Sequence, residues 1–529
     1  MPFATAHTVS LHGAVGHLID VQTDVSPGQV GVTMVGRADT TINESRDRCR
    51  MAIINSHFDW PATRRITILL SPADLLKRGT HFDLAVAVSV LAAAGTVSPV
   101  ALERTAFIGE LTLDGNLRGV AGVLPMVLAA AERGIRAVFV PEPQAGEAAM
   151  VPDMSVVGVR SLGQVVAVLR GDDELPAAPP VAEMSGARLL SWRGRERLDE
   201  LDLADLIGVA DARFAIEVAA AGGHHLLLSG PKGCGKTSLV ERIPGILPDL
   251  TQEEALELSA IQSLAGTLDP MTGFPTRPPF SAPHHDASKA SLIGGGLGVV
   301  HPGEVSKAHT GVLFLDEFPL FRSDVIEALR QPLESGDVTI ARRDESVTLP
   351  ARGMVVLAAN PCPCGDYTSD VRASRCQCRP VQRREYRTKV TGPVADRVDI
   401  VRHLPPLGRP DGSPDLDRPE STAQVRSRVE AARARQAERY AEESWRLNGQ
   451  ASGPVLRERW PLTKEGQRAV DDHLYAGRLS RRGATRVHRL AWTVADLRGR
   501  ARPGMEEVDT ALRLRLGDPL LLSMLERAG

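Results

Sequence analysis

Two short stretches hold residues suited to phosphoryl chemistry, and a third completes the set. Gly230-Pro231-Lys232-Gly233-Cys234-Gly235-Lys236-Thr237, followed by Ser238, is a complete G-x-x-x-x-G-K-T loop that leaves the apolar run Leu226-Leu-Leu-Ser and opens a helix pattern. Its glycines let backbone N–H groups turn inward around phosphate oxygens, Lys236 supplies a point charge to the β/γ-phosphates, and the Thr237 hydroxyl suits Mg²⁺. A nucleotide, ATP with Mg²⁺, is the expected ligand of Gly230 through Ser238. Downstream, Gly311-Val-Leu-Phe-Leu-Asp316-Glu317 is an apolar run of strand length ending in two carboxylates, a Walker B pattern. Asp316 is expected to hold Mg²⁺ and Glu317 to polarise the attacking water. Met354-Val-Val-Leu-Ala-Ala-Asn360 ends in an amide that can orient the same water. The plainer alternatives are a strand ending in acidic loop residues and an Asn that starts the turn before Pro361.

Such residues need buried strands to converge, and the chain has room for them. The three apolar runs read as central strands of a parallel, doubly wound α/β sheet, whose ligands sit beyond the carboxyl ends. With 529 residues the chain exceeds one hydrophobic core and implies about three domains. The predicted division is a front α+β domain over 1–170, a Pro-rich linker over 171–198, an ATPase core over 199–403, a second linker over 404–420 and a helical domain over 421–529. Within the core, Asp199 to Gly223 reads as a helical lead-in, with Gly208 a candidate to lie against the adenine. A formal charge of −3 gives no global basic field, so nucleic acid would have to be met by local patches. The start of the chain lacks a basic signal-like region, and the longest apolar run, Phe82 to Ala94, is short and carries Asp83. A cytoplasmic protein without a membrane partner is expected.

In the front region, strands are predicted at Gly28 to Val35, Ile66 to Leu70 and Ala137 to Val140. Helices are predicted at Asn43 to Asn55, Asp83 to Ala94 and Val123 to Arg133, and a hairpin turns at Asp114-Gly115. The stretch from Gly109-Glu-Leu-Thr-Leu-Asp-Gly through Ala129-Ala-Ala-Glu-Arg-Gly-Ile-Arg-Ala-Val-Phe-Val-Pro resembles the proteolytic domain of Lon. Matched by motif, the serine position of the Lon dyad falls on His81 and the lysine position on Leu124. Without nucleophile and base there is no route to an acyl-enzyme, so the resemblance implies a fold without peptidase activity.

Between the two acid-and-glycine motifs lies Ala282-Pro-His284-His285-Asp-Ala-Ser-Lys-Ala-Ser-Leu-Ile-Gly-Gly-Gly-Leu, then His301-Pro-Gly-Glu-Val-Ser-Lys-Ala-His309-Thr-Gly. With Gly311 to Glu317 and Asn360-Pro-Cys-Pro-Cys-Gly, these closely resemble the YifB/ComM group of Mg-chelatase-like AAA+ ATPases, over nearly the whole chain. The resemblance implies a helix-2 insert here and makes Asn360 the sensor-1 residue. In Gly392-Pro-Val-Ala-Asp396-Arg397 it places the arginine finger on Arg397, reaching the neighbouring subunit's γ-phosphate. It places sensor 2 on Arg482, with Arg481 and Arg486 as competitors, at the start of a lid helix running through Leu497. A homo-oligomeric ring, a hexamer, follows, and likeness to ComM implies DNA branch migration. A metal-insertion motor and a protein-remodelling ATPase are the alternatives. An Asp396–Arg397 surface pair is the plainer reading of that arginine, and a loop contact the plainer reading of His284-His285.

Three features remain. Cys362/Cys364 and Cys376/Cys378 form two C-x-C pairs that could hold a structural Zn²⁺ or stay reduced in a loop, whereas Cys49 and Cys234 stand alone. Arg426, Arg428, Arg433, Arg435 and Arg439 recur along one predicted helix and read as a solvated face. Finally, Asp337-Val-Thr-Ile-Ala-Arg342-Arg343-Asp-Glu-Ser-Val-Thr-Leu reads as a hairpin with a charged tip. In related ring ATPases such a hairpin points into the pore, where Arg342 and Arg343 would grip DNA phosphates.

Overall fold

Unbroken apolar runs, rather than alternating ones, mark the strands around the phosphate loop, and the sheet they enter explains the pattern. The computed structural model describes residues 3–37, 40–73, 75–77, 79–182, 196–270, 273–296, 300–341, 346–367, 376–405 and 420–525. Leu226–Ser229 lies between Met354–Ala359 and Ile400–His403 in a five-stranded parallel sheet continued by Val312–Leu315 and Phe280–Ser281. Leu226, Leu228, Phe314 and Val356 enter a core on one face. Leu227, Leu313, Leu315 and Leu357 enter a separate core on the other. A parallel sheet covered on both faces needs apolar residues at every position. Polar residues are admitted only at the strand ends, and there the acids and the amide stand.

The first of these cores also takes in Val425, Val429, Val487, Leu490 and Ala511 from the helices Thr422–Arg439, Arg481–Leu497 and Met505–Leu516. The C-terminal helices thus share one core with the parallel sheet. This corrects the reading of the arginine-rich helix as a solvated face. Arg433 donates to the Ala220 carbonyl at 2.8 and 3.0 Å, Arg428 pairs with buried Glu217 at 2.6 Å, and Arg439 is bound to buried Asp496. Ala220 lies in the last turn of helix Ala210–Gly222, where free carbonyls and the negative end of the dipole attract cations.

In the front region a seven-stranded mixed sheet runs Gly31–Val35, Arg65–Ser71, Val15–Ser26, Phe3–His12, Thr105–Phe107, Ala137–Pro141, Ser155–Val159. The predicted first strand starts at Gly31 rather than Gly28. The long hairpin Phe3–Ser26 was not predicted, because Thr8 and Ser10 interrupt its apolar alternation although both are buried. The predicted helices occur at Thr40–Asn55, Asp83–Ala93 and Val123–Glu132, and the small hairpin at Glu110–Leu111 and Leu117–Arg118. Asp83, buried in the apolar helix, is clasped by Arg48 at 2.8 and 3.0 Å. His81 is buried, its Nε2 2.7 Å from the Val9 carbonyl, and Leu124 is sealed in the core. Neither position offers a nucleophile or a base on the surface.

The front sheet contacts the phosphate-loop region through helix Gln252–Leu264. The Gly122 N–H donates to the Ser263 carbonyl at 3.2 Å, and buried Glu147 accepts the Leu124 N–H at 2.8 Å together with the Ser263 hydroxyl. Burial raises the Glu147 carboxyl above its usual range. Leu124, the position matched by motif to a catalytic lysine, thus takes part in the joint between the front sheet and this helix. Among the described residues no helix is long and apolar enough to cross a membrane.

Where the strand Ile400–His403 meets the C-terminal helices, Asp399 binds Arg486 at 2.5 Å and the His225 N–H at 2.9 Å. Burial alone would raise this carboxyl, but Arg486 holds it well below the usual range. Burial pushes His224 and His225 down to about 4, and His225 Nδ1 accepts the Val355 N–H, which only a ring lacking that proton can do. Both rings are neutral in the fold, whereas an unfolded histidine binds its proton near pH 6.5. Between about pH 6.5 and 4 the unfolded chain therefore holds more protons, and stability falls with acid by up to about 1.4 kcal/mol per pH unit for each ring. Denaturant midpoints at pH 7.5 and 5.5 should show the loss; equal midpoints would contradict it.

Candidate active site

Three parallel strands end together, and the residues that follow them form one connected hydrogen-bond set. After Leu226–Ser229 the chain turns through Gly230 to Gly235, with Gly233 and Gly235 at φ 75 and 86. Only glycine takes these without strain. Gly230 is required for a different reason: a Cβ there would come within 2.7 Å of the Leu404 carbonyl and 2.8 Å of Cys234 Sγ. Lys236, at the start of helix Lys236–Val240, curls back to donate to the carbonyls of Gly230 at 2.8 Å and Pro231 at 2.9 Å. Lys232 lays its methylenes against Gly365, and Ser238 offers its carbonyl to Arg242 at 2.8 Å.

The acids arrive from the strand Val312–Leu315. Thr237 Oγ1 donates to Asp316 Oδ2 at 3.0 Å, so a hydroxyl and a carboxylate suited to Mg²⁺ already face each other. Asp316 Oδ1 accepts the Glu317 N–H at 2.9 Å. Glu317 itself lies in the left-handed region at φ 49, a conformation that costs a side chain about 1–3 kcal/mol. From the third strand, the Asn360 amide bridges the two halves: its Oδ1 accepts Lys236 Nζ at 3.0 Å and its Nδ2 donates to Glu317 Oε1 at 2.9 Å. Lys236 and Asn360 are both buried. The set can cradle polyphosphate, hold a divalent cation and aim a carboxylate at a water, which are the requirements of metal-assisted phosphoanhydride hydrolysis.

The structure adds Tyr386, which the sequence reading missed. Its hydroxyl accepts the Asn360 N–H at 3.1 Å, and burial raises its pKa. It is the one buried residue of the polar helix Pro380–Val390, and a lone aromatic among arginines was the available signal.

Other expected residues stand elsewhere. Arg397 bonds Glu334 at 2.9 Å and the Pro393 carbonyl at 2.8 Å. Exposed Arg482 reaches the same Glu334 at 3.4 Å, while Arg486 is committed to Asp399. Asp396 pairs with Arg515 at 3.2 Å rather than with its neighbour Arg397. His284 and His285 stack on each other beside Asp286. The four loop cysteines, none of them in a disulfide, bring their Sγ atoms within 4.8 Å of one another. Burial works against ionisation of Cys364, but the Asp366 N–H and the neighbouring thiols bring it down to about 6. The hairpin forms as predicted, Asp337–Ala341 pairing antiparallel with Ser346–Pro350. Its tip residues Arg342 and Arg343 lie outside the described residues.

Comparison with known proteins covers the chain in three parts. Residues 202–410 match the family "Magnesium chelatase, subunit ChlI", residues 21–144 match "Subunit ChlI of Mg-chelatase", and residues 419–515 match "Magnesium chelatase, subunit ChlI C-terminal". An uncharacterized protein of Mycobacterium tuberculosis is 44% identical over 515 residues, covering 97% of this chain and 99% of its own. Competence protein ComM of Haemophilus influenzae is 37% identical over 499 residues, 94% of each chain. YifB of Escherichia coli, uncharacterized, is 37% identical over 524 residues, 99% of each.

The hydrogen-bond set makes Lys236 and Glu317 separable. Lys236→Ala is expected to weaken MgATP binding by at least about tenfold. Glu317→Gln should leave binding within about threefold and cut turnover by about 10²–10³, since it loses the carboxylate but keeps the cradle. Equilibrium nucleotide titration beside single-turnover phosphate release checks both; wild-type turnover in Glu317→Gln would remove Glu317 from the chemistry.

Proposed function

This chain belongs to the YifB/ComM family of magnesium-chelatase-like AAA+ proteins, and on that premise we propose that it is an ATP-hydrolysing ring motor that moves branched DNA. The carrying observation is the closed set of Lys236, Asn360, Glu317, Asp316 and Thr237 across three strand ends. In this reading Lys236 and the loop amides hold the phosphates, Thr237 and Asp316 hold Mg²⁺, and Glu317 with Asn360 positions the lytic water. A Mg²⁺ held by Thr237 and Asp316 would supply charge neutralisation to the transferring phosphoryl group. The front region is a Lon-like domain without a dyad, ending near residue 170, and the helices from residue 421 form the lid. The chain works in the cytoplasm.

Arg397 and Arg482 are the finger and sensor 2. Their shared partner Glu334 sets a condition on this, because Arg397 must leave that carboxylate to reach a nucleotide on a neighbouring subunit. Ring assembly exchanges one anion for another, and a hexamer supplies the second. DNA as substrate is supported by the likeness to a competence protein and by the hairpin. Val338, Ile340, Val347 and Leu349 bury its inner face, and Val347 packs on Gly13 of the front domain. The tip between them would carry Arg342 and Arg343 to DNA phosphates. These contacts carry no sequence information, which suits a motor acting on any strand.

Forked or four-way DNA is expected to stimulate ATPase more than casein or a porphyrin with Mg²⁺; stimulation by protein or porphyrin instead would favour remodelling or metal insertion. Arg342→Ala/Arg343→Ala should keep basal ATPase, lose DNA stimulation and flatten the salt dependence of DNA binding by about two counterions. Arg397→Ala alone should lose about 10³-fold in turnover, and mixing it with Lys236→Ala should restore part of it through hybrid sites. Absence of rescue in mixed rings would contradict the finger in trans.

A further inference from the structure

Two residues beyond Asn360 the chain enters the cysteine cluster. Cys362 Sγ lies 3.2 Å from Cys364 Sγ and 3.6 Å from Cys376 Sγ, and all four sulfurs fall within 4.8 Å of one another. A disulfide requires about 2.05 Å, far shorter than either separation. Four thiolates about 2.3 Å from one zinc ion stand about 3.8 Å apart at the edges of a tetrahedron, close to what is found. The set is too tight to enclose an iron–sulfur cluster, and a closed S₄ cage favours zinc over harder cations.

The cluster joins segments that both touch the active site. On one side, a Cβ on Gly365 would lie 2.6–2.8 Å from the Lys232 side chain, so this loop rests on the phosphate loop. On the other, Cys378 leads into helix Pro380–Val390, whose Tyr386 accepts the Asn360 N–H. We propose that Cys362, Cys364, Cys376 and Cys378 hold a structural Zn²⁺, and that this ion clips the Asn360 strand end and the Tyr386 helix against the phosphate loop. Hydrogen bonds alone leave the strand exit and the helix start as separate segments; four metal–thiolate bonds make them one body. The site stands on the sulfur geometry by itself. The clip rests in addition on the ATPase reading, in which Asn360 orients the lytic water. Tyr386 is then a positioning residue, acting through Asn360.

The test uses the full chain purified without chelator. Metal analysis should give about one zinc per chain, with the four thiols unreactive in the native state and reactive after denaturation. Zinc below about half an equivalent with all four thiols reactive natively overturns the site, as does a stoichiometric single iron. Exchange with Co²⁺ should give the visible bands of a tetrahedral thiolate site, absent in Cys376→Ser/Cys378→Ser. That double variant should lose zinc and at least about tenfold in kcat with KM for MgATP within about threefold, whereas Cys378→His, which keeps a fourth ligand, should retain both. Tyr386→Phe should keep zinc and lower kcat several-fold at unchanged KM. Zinc lost with kcat intact overturns the clip and leaves the site standing. Full turnover in Lys236→Ala would instead fail the ATPase reading. Should the double variant melt below assay temperature, zinc release from the wild-type chain by a mercurial, followed against the fall in kcat, reads the same link.

Discussion

The active site depends on one side-chain amide. Asn360 accepts from Lys236 and donates to Glu317 while both it and the lysine are buried. In low dielectric a buried ammonium and a nearby carboxylate would otherwise collapse onto each other, at the cost of both functions. A side-chain amide carries an acceptor and a donor on one rigid plane and, unlike an imidazole, keeps both at any physiological pH. It therefore holds the cation and the anion apart at fixed positions, ready for a phosphate and a water to come between them. The rest of the sheet exists to keep the three strand ends in that register.

Communication beyond the site runs through packed joints. Helix Gln252–Leu264 touches the front domain at Ser263 and, a turn and a half earlier, presents Glu257 to His309 and Arg352 at 2.6–2.8 Å. Arg352 closes the base of the hairpin, and His309 precedes the strand that carries Asp316. One helix thus touches the segment before the acidic strand, the base of the hairpin and the front sheet. The front sheet offers the socket for this helix, and Glu147 is buried there, accepting from Leu124 and Ser263.

The arginines show how far residue type alone misleads. Five of them on one helix look like a surface stripe, yet Arg428 and Arg439 pair with buried acids and Arg433 and Arg435 donate to carbonyls in the last turns of two neighbouring helices, while Arg426 alone pairs with exposed acids. Arg397 and Arg482, chosen separately, turn out to share Glu334, while Arg486 has its own buried acid.

What the sequence determined by itself were the features written in contiguous residues. The phosphate loop, the acidic strand end, the Asn360 strand and the hairpin strands each combine a local backbone requirement with a local apolar pattern, so a dozen residues suffice to read them. The front helices were legible for the same reason. Only the tertiary structure decided what depends on residues far apart in the chain. Tyr386 under Asn360, Glu334 between two arginines, Glu147 at the domain joint and the convergence of two C-x-C pairs each pair groups whose separation along the chain carries no period or motif. Their partners are chosen by which strand ends meet and which helix covers them, and that choice is made by burial of the whole sheet rather than by any segment of it.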